Sequence, residues 1–200
     1  MKFFMITLLT CVITLSYAQD ELVQAFSKSY ELEQYKSYNQ AIEQLTKNYN
    51  AASYEINVRL GWLSHLAGDF VKSSNYYKKA IELESSSIEA RMGLVYPVAA
   101  MENWNKVIEI YKEVLNIDPN NTIANYRLGS IYYYRKQYST AAGYVEKVIK
   151  LYPFDYDSAI LLAQIYTSLG NIIEARALYT KALLYSPTDQ TAKQGLEKLK

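Results

Sequence analysis

Cysteine and histidine are almost absent from this 200-residue chain, which has one of each. The cysteine, Cys11, lies in an N-terminal apolar run, and the histidine is His65. Because these residues supply most transition-metal sites and nucleophile–base pairs, little material remains for such chemistry. Phosphate loops, dinucleotide-binding motifs and hydrolase motifs are also missing. We therefore expect no catalytic residue, no metal ion and no cofactor, although the plentiful carboxylates leave an acid–base pair formally open.

An excess of basic charge is missing too. Lys and Arg total 21 against 20 for Asp and Glu, which gives a formal net charge of +1. Nucleic-acid binding depends largely on basic side chains that neutralise phosphates. The composition therefore predicts no nucleic-acid partner.

The longest apolar run is too short to cross a membrane. Lys2 precedes the run from Phe3 to Leu15, and Ser16-Tyr17-Ala18 follows it. A bilayer needs about 20 apolar residues, whereas a signal peptide needs a basic start, a shorter run and small residues before the cut. We predict a signal peptide over 1–18, cleaved after Ala18, which leaves a periplasmic or secreted chain without stable membrane insertion. A membrane anchor and a lipoprotein acylated at Cys11 are the alternatives.

Proline is scarce, and its positions reveal a repeat. Three of the four prolines, Pro119, Pro153 and Pro187, are 34 residues apart. A fixed period of this size indicates a solenoid of helix pairs. A residue before proline is disfavoured in helical geometry, so we expect helices to end at Asp118, Tyr152 and Ser186. Glycine is sparse as well, and Gly68 and Gly170 are expected to mark turns inside repeats.

Other residues recur with the same period of 34. Leucine recurs at Leu60, Leu94, Leu128 and Leu162. The residue after each leucine is small or β-branched: Gly61, Val95, Gly129 and Ala163. Three further series fall at predicted core positions: Trp104, Tyr138 and Ile172; Tyr111, Val145 and Tyr179; Val107, Ala141 and Ala175. These positions are typical of two helices that approach closely.

The stretches "LGWLSHLAGDFVKSSNYYKKAIEL" and "LGSIYYYRKQYSTAAGYVEKVIKL" resemble the tetratricopeptide repeat (TPR) signature. The resemblance implies an all-α, right-handed superhelical solenoid of antiparallel helix pairs. We place a TPR domain over 19–200, with five repeats and a capping helix at 190–200. The repeats are 22–53, 54–87, 88–121, 122–155 and 156–189. The tyrosine-rich style is similar to secreted TPR proteins of Bacteroidetes-type bacteria.

The resemblance also implies a function, which is to bind a peptide or protein segment in a concave groove lined by the first helix of each repeat. The family's groove positions fall on Phe26, Tyr30, Arg59, Trp62, His65, Met92, Tyr96, Tyr126, Arg127, Tyr133, Tyr134 and Gln164. Arg59 and Arg127 are expected to pair with acidic groups of the partner. Tyr132 and Tyr138 fall at core positions instead. The asparagine of the co-chaperone carboxylate clamp is missing from its family position.

Two alternatives to groove binding stay open at this point. One is a structural subunit of a cell-envelope assembly that docks through convex or end faces, and a lower-ranked one is glycan binding by the aromatic rings. Pro97 is the fourth proline and falls inside a predicted helix. Because an internal proline removes a hydrogen bond, we expect a kink between Gly93 and Pro97, or else a helix that starts late.

Overall fold

The computed structural model describes residues 20–47 and 49–200, so the predicted signal peptide lies outside the described residues. Within those ranges the chain forms eleven helices and no strand. The helices are α1 (20–34), α2 (Tyr38–Thr46), α3 (Tyr54–Leu66), α4 (Phe70–Leu83), α5 (Ile88–Ala100), α6 (Trp104–Ile117), α7 (Thr122–Tyr134), α8 (Tyr138–Leu151), α9 (Tyr156–Leu169), α10 (Ile172–Tyr185) and α11 (Gln190–Lys198). The predicted all-α class, built from helix pairs joined by short turns, is confirmed.

The described residues divide after Trp104 into two compact units, called unit 1 (20–47 and 49–104) and unit 2 (105–200) below. In unit 1, α3 packs on α2, α4 and α5. In unit 2, α7 packs on α8, α8 on α9, α9 on α10, and α10 on α11. Sequential packing of this kind is typical of repeat proteins, in which each helix pair buries its apolar face against its neighbours.

The core of each unit is built from the recurring residues. Leu60, Leu94, Leu128 and Leu162 are all buried. Each such side chain stabilises the fold by about 1.5–3 kcal/mol relative to exposure. The small residues of the series let the helices approach, because a Cβ at Gly129 would overlap the Val145 side chain. At the C-terminal end, Ala192 and Leu199 of the α11 segment complete the last cluster.

A second series with the same period starts the first helix of each pair. In each case a short polar side chain accepts a hydrogen bond from the backbone N–H three residues later, which satisfies one of the free donors of the first turn. The residues are Ser53, Ser87, Asn121, Asp155 and Asp189. The helix starts are therefore encoded locally in the sequence.

The turn inside each repeat contains one residue with positive φ. Gly68 and Gly170 have φ of 81° and 79°, as expected for glycine, which has no Cβ to clash. The equivalent turns of the other repeats hold Lys36, Glu102 and Lys136 at φ of 58° to 59°. The same turn geometry is thus kept where the sequence has no glycine.

Two expectations need correction. Helix α5 runs without interruption from Ile88 to Ala100 with Pro97 inside it, so the late-start alternative was wrong. The kink between Gly93 and Pro97 stays a prediction. Of the 34-residue series that includes Tyr138, the other two members are largely exposed, Trp104 at 48% and Ile172 at 40%. Like Tyr138, both stand at the first position of their helices.

Candidate functional site

A surface cavity of about 910 Å³ lies within unit 1. Its lining comes mainly from α1, α3 and α5, which are the first helices of three successive repeats, with one ring from α4. Six of the lining side chains are aromatic, namely Phe26, Tyr30, Tyr54, Trp62, Tyr77 and Tyr96. Tyr30 and Tyr96 are each 53% exposed. The cavity therefore presents aromatic rings to solvent.

The lone cation of the cavity, Arg59, is engaged within the chain. Its side chain is 6% exposed, and its Nε donates a hydrogen bond to Ser29 Oγ at 3.0 Å. Its Nη1 forms an ion pair with Glu33, and its guanidinium lies 3.7 Å from the centre of the Tyr30 ring. These contacts join α3 to α1. In this structure the acid that pairs with Arg59 Nη1 comes from α1, while Nη2 is buried without a hydrogen-bond partner, so pairing with an acid of the partner stays a prediction.

Trp62 stands at the centre of an aromatic cluster on the same wall. Its indole Nε1 donates to Glu33 Oε1 at 2.7 Å, which fixes the ring. The ring centres of Tyr96 and His65 lie 5.7 and 5.9 Å away, and His65 also contacts Phe70. Burial among these rings lowers the pKa of His65 from its ordinary value, because the charged imidazolium is poorly solvated there. The structure thus brings Trp62, His65 and Tyr96 into contact, and Tyr30 lines the same cavity as Trp62 and Tyr96.

Two further carboxylates border the cavity at the starts of α3 and α5. Glu55 and Glu89 occupy the second position of successive repeats, 34 residues apart, and both are exposed. The Tyr54 hydroxyl lies 2.7 Å from Ser87 Oγ and donates to Glu89 Oε2 at 3.0 Å. Burial is the main cause that raises the pKa of Tyr54. The sequence interpretation missed these acids, although their period could have revealed them.

Unit 2 places its predicted residues differently. Tyr126 and Arg127 border a smaller cavity of about 270 Å³, together with Asp155 and Asp157. The Arg127 guanidinium lies 5.9 Å from the centre of the Tyr126 ring, and its side chain is exposed. Its pairing with an acidic group of the partner stays a prediction.

The tyrosine run of α7 is divided between core and surface. Tyr133 packs partly buried against the core, and its ring touches those of Tyr134 and Tyr138. Tyr134 is 79% exposed. Tyr132 stacks on Tyr144 with an interplanar angle of 1°. Gln164, the last predicted groove residue, is half-buried on α9.

Among residues 20–47 and 49–200, no group of three His, Cys, Asp or Glu side chains is placed to hold a metal ion. No helix in the same part of the chain combines the length and apolar character needed to cross a bilayer.

The chain is similar in sequence to known repeat proteins. The sequence model of the tetratricopeptide repeat family matches residues 54–87, 123–155 and 156–189, about half of the chain. Superkiller protein 3 of Schizosaccharomyces pombe is 24% identical over 128 residues, which is 60% of this chain and 9% of that protein. The chain thus spans less than a tenth of that relative.

Solved structures resemble the chain over most of its length. A tetratricopeptide repeat protein from Parabacteroides merdae superposes with a TM-score of 0.75 at 18% identity, covering 90% of this chain and 72% of that one. The MamA protein superposes with a TM-score of 0.70 at 20% identity, covering 82% of this chain and 91% of that one. MamA of Desulfovibrio magneticus RS-1 superposes with a TM-score of 0.66 at 20% identity, covering 76% of this chain and 84% of that one. At these identities the likeness shows the fold.

Proposed function

The chain belongs to the tetratricopeptide repeat family, and from this premise we propose that it is a non-catalytic scaffold whose unit 1 cavity binds a segment of a partner protein. Proteins of this family generally mediate protein–protein interactions, and their scaffolds are generally non-catalytic. The proposal goes further by naming the surface. The observation that carries it is the open cavity of about 910 Å³ walled by exposed and half-buried aromatic rings.

Aromatic side chains suit this role for a physical reason. A Trp or Tyr ring buries a large area on binding and loses little conformational entropy, since it has only two rotatable side-chain bonds. The hydrogen bond from Trp62 to Glu33 and the edge contact with Tyr96 hold the rings before the partner arrives. A preorganised wall of this kind lowers the entropic penalty of binding.

Affinity capture tests the proposal. Wild-type protein and the Tyr96→Ala variant are used to capture partners from the cell that produces the chain. Tyr35→Ala is the matched control, because Tyr35 is also an exposed tyrosine of unit 1 but does not line the cavity. We expect Tyr96→Ala to reduce recovery of a specific partner and Tyr35→Ala to leave it unchanged. Equal recovery with all three proteins would exclude the cavity as the binding surface.

A second candidate, docking through a convex helix face as a subunit of an envelope assembly, is favoured by α10. Ile173 and Leu184 lie three turns apart on this helix and are 82% and 76% exposed. Glutamate at both positions would abolish such docking without touching the core. Removal of α11 is a poorer test, since its Ala192 is fully buried in the adjoining cluster. Partner loss with Ile173→Glu and Leu184→Glu, while Tyr96→Ala is silent, would favour this candidate over cavity binding.

Export completes the proposal. The N-terminal segment, with Lys2, the apolar run and Ala18, supports cleavage after Ala18 and a periplasmic or secreted location. N-terminal sequencing of the protein recovered from its native cell tests this directly. We expect the mature chain to begin at Gln19, whereas an intact Met1 would exclude export by this route.

A further inference from the structure

The lining of the unit 1 cavity carries a local excess of negative charge. Among the described residues that line it, three are carboxylates, Glu33, Glu55 and Glu89, one is a guanidinium, that of Arg59, and none is a lysine. The excess of two negative charges is a property of this surface and not of the chain, whose net charge is +1. The cavity therefore favours a ligand of opposite sign.

The lone cation does not offset the two remaining acids. Arg59 is buried and paired with Glu33, so these two groups neutralise one another. Glu55 and Glu89 are exposed, and each accepts a hydrogen bond from a hydroxyl group, Ser53 Oγ at 2.9 Å and Tyr54 Oη at 3.0 Å. A hydroxyl partner leaves the carboxylate charge in place. Both acids can therefore accept further hydrogen bonds from a cationic ligand.

The aromatic walls suit the same ligand. A guanidinium or ammonium group is attracted to the face of a Tyr or Trp ring, and guanidinium also stacks on it. The cavity already contains one such pair, because Arg59 lies 3.7 Å from the centre of the Tyr30 ring. Tyr96 is 53% exposed and lines the cavity about two turns after Glu89 on the same helix.

We propose that the unit 1 cavity recognises a cationic side chain of the bound protein segment, with arginine preferred over lysine. This inference rests on the proposed function and names the chemistry of the partner. Arginine is preferred because its planar group can donate two parallel hydrogen bonds to a carboxylate while it stacks on a ring, which the ammonium of lysine cannot do. Glu55 and Glu89 supply the charge, and Trp62 and Tyr96 supply the rings.

A panel of four peptides tests the inference. The peptides share the frame acetyl-Gly-Ser-Xaa-Gly-Xaa-Ser-Gly-amide, in which Xaa is arginine, lysine, citrulline or glutamate. Citrulline has the shape of arginine without its charge. Trp62 fluorescence reports binding in a Trp104→Phe background, since the chain has only two tryptophans. We expect saturable binding that decreases from arginine to lysine and is weakest for citrulline and glutamate.

Charge variants locate the binding site. Glu55→Gln combined with Glu89→Gln should lower the affinity for the arginine peptide by about tenfold or more, because charge-assisted hydrogen bonds are lost. The control is Glu174→Gln combined with Glu197→Gln, which removes the same charge from exposed positions outside the cavity. Glu174 also lies in the first turn of its helix, like Glu55 and Glu89. The control should bind the arginine peptide as the wild type does.

The outcomes separate this inference from the function on which it rests. Equal weakening by both double variants would show general charge attraction and overturn the inference. Absence of arginine binding, or equal binding of citrulline, would overturn it as well. If the partner obtained by affinity capture still depends on Tyr96, the proposed function survives that failure. If arginine binding and the dependence of partner capture on Tyr96 are both absent, the proposed function is excluded together with the inference.

Discussion

The ring of Tyr77 fills a gap that only glycine can provide. It is 3% exposed and lies between α3 and α5, where a Cβ added at Gly61 would stand 2.9 Å from the ring. A Cβ at Gly93 would come closer still. Burial raises the pKa of the Tyr77 hydroxyl. Because the ring is held from both sides, it cannot move away from either helix without leaving the core.

The first prediction concerns Gly93→Ala. Overpacking of a core costs about 1–3 kcal/mol, and alanine recovers up to about 1 kcal/mol of helix propensity. Since the Tyr77 ring has no room to retreat, we expect a net destabilisation of about 1–2 kcal/mol in urea unfolding. Gly143→Ala is the control, because nothing lies within 4 Å of its Cβ position in α8. The control should stabilise the chain by about 0.5–1 kcal/mol, and a stabilising Gly93→Ala would contradict the packing described.

The second prediction concerns the pH dependence of stability at His65. Its pKa is lowered in the folded chain, while in the unfolded chain it is near 6.5. The unfolded chain therefore binds a proton at His65 more readily than the folded chain does. The stability that follows from the lowered pKa is complete above about pH 6.5 and is lost as the pH falls below it. Nδ1 is buried without a partner, which also disfavours the charged form.

Urea unfolding between pH 8 and pH 5 measures this effect. The chain has one histidine, so the difference between wild type and His65→Gln isolates its titration. We expect the unfolding free energy of the wild type to fall more steeply below pH 6.5 than that of the variant. Parallel pH profiles would show that His65 titrates normally in the folded state.

Some residue contacts were readable from the sequence and others were not. Tyr77 and Gly93 are 16 residues apart, and Tyr179 contacts the space at Gly195 with the same separation, so a recurring pattern existed. The pairing of Arg59 with Glu33 had no such pattern. Glu33 lies in the first repeat, which is two residues short and degenerate, so its register against α3 depends on packing and not on the period.

At the scale of the helix, starts are determined locally by short polar side chains. The series of N-caps repeats every 34 residues from Ser53 to Asp189. Sequence alone could have located them, because a Ser, Asn or Asp before each first helix recurs with the proline period. The turns inside the repeats could be predicted only in part. Glycine indicates the positive φ at Gly68 and Gly170, whereas the residue with positive φ in another repeat is Lys136.

The third prediction concerns the N-cap of α7. Asn121 Oδ1 accepts a hydrogen bond from the Ala124 N–H at 3.0 Å. Asn121→Ala should cost about 1 kcal/mol of stability, and Asn121→Gly should cost only a few tenths. Asn120→Ala is the neighbouring control, since the Asn120 side chain is exposed in the turn before the helix. Thermal and urea unfolding measure the differences. Equal effects at 120 and 121 would show that the cap contributes nothing.

At the scale of the whole molecule, the period of 34 predicted the fold class because each repeat must bury the same face. The recurrence of Pro119, Pro153 and Pro187 was sufficient to place the ends of α6, α8 and α10. The division into two compact units was not predictable, since no linker or change of composition marks residue 104. The predicted groove spanned all five repeats, whereas the structure describes a large aromatic cavity within unit 1.

The central claim is that the unit 1 cavity is the surface that binds a partner segment. The most direct test places a photo-cross-linking amino acid at position 96 in the living cell and identifies the captured protein. Positions 35 and 173 are exposed and serve as comparisons outside the cavity. The account predicts that one specific partner is captured from position 96 and not from the other two. Capture of that partner from position 173, with none from position 96, would contradict it.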